Sequence, residues 1–141
     1  MILYLDTSAL VKLLVDEAGS EEVRSWTEVA DDVATSVIAL PEAVSAVARA
    51  YGACRLSGTE AEHVRHDLMR IWERSLHVGV DEERAAAVAW SHGLRGLDAV
   101  QLAGARTLSE AVGVDELAFC SFDRALSAAA VAEGLIVLEA S

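Results

Sequence analysis

"MILYLDTSAL", residues 1–10, is the stretch that decides the fold. Ile2, Leu3, Tyr4 and Leu5 form an apolar run of strand length, the pattern of a strand buried on both faces. From Thr7 the pattern changes, and Ala9, Leu10, Leu13 and Leu14 recur at helical spacing through "TSALVKLLVDE", 7–17. A buried strand that passes straight into a helix begins an α/β alternation. Asp6, between the two, does nothing for a core. It is either a helix cap or one part of a site.

The same alternation continues along the chain. "GSEEVRSWTEVADD", 19–32, predicts a helix with Ser20 as N-cap and glutamates in its first turn. "VATS", 33–36, predicts a short strand. A long helix follows from Val37 to about Leu56, with Pro41 near its first turn, where proline is tolerated. Thr59 and Glu62 form a T-x-x-E start for a helix to Ser75. "LHVGV", 76–80, is β-like; "DEERAAAVAWSHGL", 81–94, is helical and ends near Gly93. Asp98 opens the helix "AVQLAGARTLSEAV", "LAFCS" at 117–121 is a strand, Asp123 opens another helix, and "LIVLEA", 135–140, is the last strand. Strands separated by helices pair in parallel through right-handed crossovers. The expected fold is therefore a three-layer α/β/α sandwich around a central parallel sheet of four or five strands. In such open sheets, sites form beyond the carboxyl ends of the strands.

Composition narrows the class. At 141 residues and 53% hydrophobic, residues 1–141 read as one globular domain with a substantial core. No run approaches the roughly 20 apolar residues of a membrane span. No basic segment precedes the first apolar run, so the expected location is the cytoplasm. Cys54 and Cys120 form neither a C-x-x-C pair nor a ligand cluster, and both read as small core residues. The chain carries 23 acids against 11 bases, a net charge of −12. Its pI is near 4.6. That balance excludes a broad basic surface for diffuse nucleic-acid binding.

Four acids stand where the fold would put a site: Asp6 and Asp123 after strands, Asp98 at a helix start, and Glu42 beside Pro41. Each has an ordinary explanation. Aspartate is a preferred N-cap, and acids in a first turn are favoured by the helix dipole. Their neighbours, however, are nearly all apolar, as in "LPEAVSAVA" and "GLRGLDAVQLAGA". Desolvated carboxylates are costly unless a cation or hydrogen bonds compensate. Converging ones repel unless a divalent ion neutralises them, and a set of hard oxygen ligands suits Mg²⁺ or Mn²⁺.

"YLDTSALVKL", "LPEAVSAV", "LRGLDAVQLAGA" and "FCSFDRAL" occur in the order and spacing of the PIN-domain nucleases, and the chain resembles most the VapC toxins of bacterial toxin–antitoxin pairs. The resemblance spans essentially the whole chain; "LDTSALVKL" and "LDAVQLA" are its distinctive pieces. It implies a metal-dependent endoribonuclease that uses Mg²⁺ or Mn²⁺ to hydrolyse RNA by direct attack of water. By motif, Asp6, Glu42, Asp98 and Asp123 would be the catalytic, metal-binding quartet, with Ser8 and Ser121 in support. Asp123 lies in the motif whose acid is the most variable in role. The resemblance also implies a homodimer and a VapB-like antitoxin whose tail covers the site, with DNA contacted only through that antitoxin. Transfer RNA, ribosomal RNA loops and messenger RNA are all open as substrates.

Ten of the 11 bases are arginines, Lys12 being the only lysine. Lys12, Arg49, Arg95 and Arg124 lie near the acidic motifs and are the candidate phosphate contacts; each is also placed to be an ordinary ion-pair partner. Discounting four of the 23 acids still leaves a net of −8. The acidity therefore favours a selective nuclease, and a cleft attractive to a basic peptide, over a promiscuous one. His63, His66 and Asp67 read as a solvated helix face, and His92 as an incidental neighbour of Asp98. Trp26, Trp72 and Trp90 read as core or interface anchors. Two rivals stand beside the nuclease reading. An aspartyl-phosphate enzyme also ends a strand in aspartate, but Ser8 occupies its usual second aspartate position and no lysine partner follows. A catalytically silent PIN-like interaction module would bind a partner without cleaving RNA.

Overall fold

The computed structural model describes residues 1–141. Five strands, β1 (Ile2–Leu5), β2 (Asp32–Ser36), β3 (Leu76–Val78), β4 (Leu117–Cys120) and β5 (Ile136–Leu138), form one sheet in the order β3-β2-β1-β4-β5. Every neighbouring pair is parallel. Seven α-helices connect them: α1 (Thr7–Leu14), α2 (Ser20–Val29), α3 (Ala39–Gly52), α4 (Gly58–Arg74), α5 (Glu82–His92), α6 (Gly96–Val112) and α7 (Arg124–Ala132). A short 3₁₀ turn, Val114–Glu116, leads into β4.

Alternation along the central strands feeds two cores. Tyr4, Ala34 and Phe119 point to one face and pack with residues of α5, α6 and α7. Leu3, Leu5, Ala118 and Cys120 point to the other face, against Ala9 of α1 and Val23 of α2. Beyond that face, α1 packs on α3 and α4 through Leu10, Ala39, Ala43 and Leu68. The expected three-layer α/β/α sandwich is what forms, with five strands.

The strand order reverses direction between β1 and β4, and such a switch point opens a crevice beyond the carboxyl ends of the strands. Asp6 and Asp123 follow those two strands. The Asp6 N–H still donates to the Cys120 carbonyl at 3.1 Å, so the ladder carries Asp6 to the very edge of the sheet.

Several local expectations shift. The start of α4 is capped by Ser57 and Glu60, which satisfy each other's backbone N–H groups in a capping box; Thr59 and Glu62 lie inside the helix. The segment "SGTEAE" holds two overlapping boxes, and the earlier one wins because Ser57 keeps extended backbone geometry. Gly19, with φ +90°, precedes α2, so Ser20 is its first residue rather than its cap. α3 ends at Gly52, short of Leu56, and Cys54 follows with φ +58°. That turn leaves Cys54 exposed, against expectation, whereas Cys120 is buried as a core residue. Trp26 and Trp72 pack against the core clusters, but Trp90 is 91% exposed and enters none of them.

Candidate active site

All four acids line one cleft of about 390 Å³ at the carboxyl ends of β1 and β4. Four separate segments deliver them: the β1–α1 junction, the first turn of α3, the first turn of α6 and the β4–α7 junction.

The strand-borne acids are caps as well as site residues. Asp6 Oδ1 accepts from the Ala9 N–H at 2.9 Å, and Asp123 Oδ1 from the Leu126 N–H at 2.9 Å. Capping does not account for the other two. Arg95, not Asp98, is the N-cap of α6, and Ile38 that of α3; neither helix start has a side-chain cap.

Asp6 is only 4% exposed and is held from both sides. Ser8 Oγ donates to its Oδ1 at 2.7 Å and Ser121 Oγ to its Oδ2 at 2.6 Å. Each serine also accepts a backbone N–H, Ser8 from Phe122 at 2.9 Å and Ser121 from Asp123 at 3.0 Å. Both hydroxyls are therefore committed, and the turns after β1 and β4 are tied to each other through them. Burial pushes the Asp6 carboxyl above the ordinary carboxylate range, the Ser121, Ser8 and Ala9 hydrogen bonds pull it back, and the Asp98 charge adds to the rise.

Glu42 is positioned by residues that the sequence alone did not single out. Thr7 Oγ1 donates to Glu42 Oε1 at 2.7 Å, and Gln101 Nε2 donates to Thr7 Oγ1 at 3.3 Å. The buried Tyr4 hydroxyl in turn donates to Gln101 Oε1 at 3.0 Å. One signal was available. Asp98, Gln101 and Gly104 recur three residues apart, a single face of α6. Gly104 is needed there, because a Cβ would stand 2.6 Å from the Tyr4 hydroxyl oxygen. Gln101 lies 97 residues from Tyr4 and 94 from Thr7, beyond any local pattern.

Asp98 is raised above the ordinary carboxylate range by burial first and by Asp123 second; Arg95 lowers it and Glu42 raises it again. Arg95 lies across two acids, with Nε 3.8 Å from Asp98 and a terminal nitrogen 3.7 Å from Asp123. Lys12, only 15% exposed in its side chain, is held by Glu17 at 3.0 Å and by the Phe122 ring at 4.7 Å. Arg49 lines the cleft and donates to Ser45 at 2.6 Å. Arg124 is exposed and is not among the residues that line the cleft. His92 turns away to Glu133, 3.2 Å distant, while His63, His66 and Asp67 are exposed on α4.

As the side chains stand, no three of the acids are disposed around a common point that would hold a metal ion. The chemistry of the donor set nevertheless fits a hard divalent cation. Every donor is a carboxylate oxygen, two of the four are pushed toward protonation by burial and by one another, and only Arg95 offers them a countercharge within 4 Å.

Residues 3–134 match the PIN domain. The chain belongs to the PIN-domain family. Among curated relatives of this PIN domain, Ribonuclease VapC49 of Mycobacterium tuberculosis is 34% identical over 99% of this chain and 96% of its own. Among solved structures, PAE2754 of Pyrobaculum aerophilum superposes with a TM-score of 0.66 at 20% identity, covering 97% of this chain and 89% of the other. FitAcB of Neisseria gonorrhoeae gives 0.63 at 24% identity, covering 99% and 97%. At those identities the two structures speak to the fold. No helix of this PIN domain is long and apolar enough to cross a membrane.

Proposed function

We propose that this PIN domain is a VapC-type toxin, an endoribonuclease that depends on Mg²⁺ or Mn²⁺ and hydrolyses phosphodiester bonds of RNA. The observation that carries the proposal is the convergence of Asp6, Glu42, Asp98 and Asp123, from four separate segments, in one cleft at the β1/β4 reversal. The curated relatives named as VapC ribonucleases support it.

Asp6, Glu42, Asp98 and Asp123 would hold the ion. Bound there, such an ion lowers the pKa of water and offsets charge on a phosphodiester in the transition state. The chain's own residues do the rest. Ser8 and Ser121 fix both oxygens of Asp6, and the Tyr4–Gln101–Thr7 relay aims Glu42. Neither serine has a free role as nucleophile, since each donates to Asp6 and accepts a backbone N–H. Water is the attacking group, and its proton passes to a carboxylate of the set. Lys12, Arg49 and Arg95 stand at the cleft to meet phosphate oxygens.

A VapB-like antitoxin is the proposed regulator, and the protein is proposed to act as a homodimer in the cytoplasm. A groove of about 760 Å³ between α1, α3 and α4, floored by Val11, Leu14, Val47, Leu56 and Val64, supports the antitoxin reading. It shares Val11, Glu17, Ala46 and Arg49 with the acidic cleft, so one peptide could occupy both.

The test is incubation of partner-free protein with total cellular RNA and Mn²⁺ or Mg²⁺, beside Asp6→Asn and Asp98→Asn. The expected result is cleavage by the parent that EDTA and either substitution abolish. Undiminished cleavage by the variants would mean a contaminating nuclease, and no cleavage by the parent would favour the silent interaction module.

A further inference from the structure

We propose that Arg95 is a resident counter-cation of the Asp98–Asp123 pair, and that a divalent ion entering the cleft displaces it. The inference rests on the metal-dependent reading above and adds a step to it.

Arg95 combines three properties that suit a removable charge. First, it spans two acids from different segments, Asp98 in α6 and Asp123 after β4. Second, it does so at 3.8 and 3.7 Å, close enough for attraction and too long for hydrogen bonds. Third, its side chain is 87% exposed, so water can replace its contacts as it leaves. Exposed pairs of this kind contribute little each. Lys12 differs on every count, being mostly buried, ion-paired with Glu17 at 3.0 Å and seated over the Phe122 ring. The one is built into the wall and the other lies across the opening.

An ion held by Asp98 and Asp123 needs the same oxygens that Arg95 faces. Two positive charges cannot share that pair without repulsion, so ion entry and Arg95 occupancy exclude one another. Released, the guanidinium remains beside the acids on the residue that precedes α6, where a phosphate oxygen of the substrate would arrive.

The test follows the arginine rather than the reaction. In ¹⁵N-labelled, metal-free protein, the Arg95 Nε–H signal is assigned with Arg95→Lys and followed during Mg²⁺ addition. It is expected to move as Mg²⁺ binds. By calorimetry, Arg95→Gln is expected to bind Mn²⁺ about three- to tenfold more tightly than the parent, with the gain shrinking at high salt. Arg124→Gln removes the same charge from the next segment, where no acid lies within 4 Å, and is expected to gain distinctly less. If both ions bind while the Arg95 signal stays still, or if the two glutamine variants gain equally, the displacement is overturned and the metal reading stands. If neither ion binds the parent or either variant, the metal reading falls and takes this inference with it.

Discussion

The two walls of the cleft are built differently. The strand wall, Asp6 with Ser8, Ser121 and Phe122, is buried at Asp6 and Ser121, half-buried at Ser8 and Phe122, cross-bonded and continuous with the sheet. The helix wall, Asp98 with Glu42 and Arg95, is partly open to water, and its charges meet across gaps. Both walls carry acids, yet only the first is also fold. A carboxylate on the strand wall stabilises two turns and a helix start, whereas Asp98 on the helix wall caps nothing and faces other charges.

Replacing equivalent acids separates the walls most sharply. Asp6→Ala leaves the buried Ser121 hydroxyl, the half-buried Ser8 hydroxyl and the Ala9 N–H without their acceptor, and is expected to cost about 2–4 kcal/mol in urea unfolding. Asp98→Ala, which caps nothing, is expected to stay within about 0.5 kcal/mol of the parent while losing activity as completely. Equal losses of stability would erase the distinction.

Gly104→Ala tests the relay that joins the walls. The added Cβ must push the Tyr4 hydroxyl away, with an expected cost of about 1–3 kcal/mol and a loss of activity although no acid is touched. Undisturbed activity would show that Glu42 does not depend on Gln101 and Thr7 for its aim.

The smallest effect is the most specific. Asp98 has a folded pKa above its ordinary value of 3.8, so between that value and its raised pKa the folded state holds a proton the unfolded state has lost. Its contribution to stability therefore falls as pH rises through that window. Asp98→Asn is expected to be neutral at low pH and more stable than the metal-free parent at pH 7, by less than about 1 kcal/mol given its solvent exposure. Mg²⁺ is expected to raise the parent's melting temperature and leave that of the variant nearly unchanged. A variant less stable than the parent at pH 7 would mean that the Asp98 charge is already compensated.

The sequence carried the strand wall well and the helix wall less so. Asp6 and Asp123 follow apolar runs whose length and position mark them as central strands, so both the fold and the place of these acids were legible there. Asp98 and Glu42 were visible only as acids among apolar neighbours, and the resemblance rather than periodicity drew them to one cleft. Thr7, Gln101 and Tyr4 escaped because hydrogen bonds across nearly a hundred residues leave no local trace. Cys54 lies outside the core, for apolar character does not say which side of a turn faces water, and Trp90 takes no core position. The start of α4 slipped by two residues because either overlapping S/T-x-x-E box satisfies the local chemistry.

Gly19 gives the strand wall an adjustable screw. Its bare Cα lies against the Phe122 ring, the same ring that seats Lys12, and the backbone N–H of Phe122 donates to Ser8, which in turn donates to Asp6. A side chain at position 19 would both strain the backbone at φ +90° and push on that ring. The disturbance would reach the Asp6 carboxylate through two contacts without altering an acid or a base. Substitutions of graded size there would therefore tune how firmly Asp6 is held, a dial on the cleft set from outside its acids.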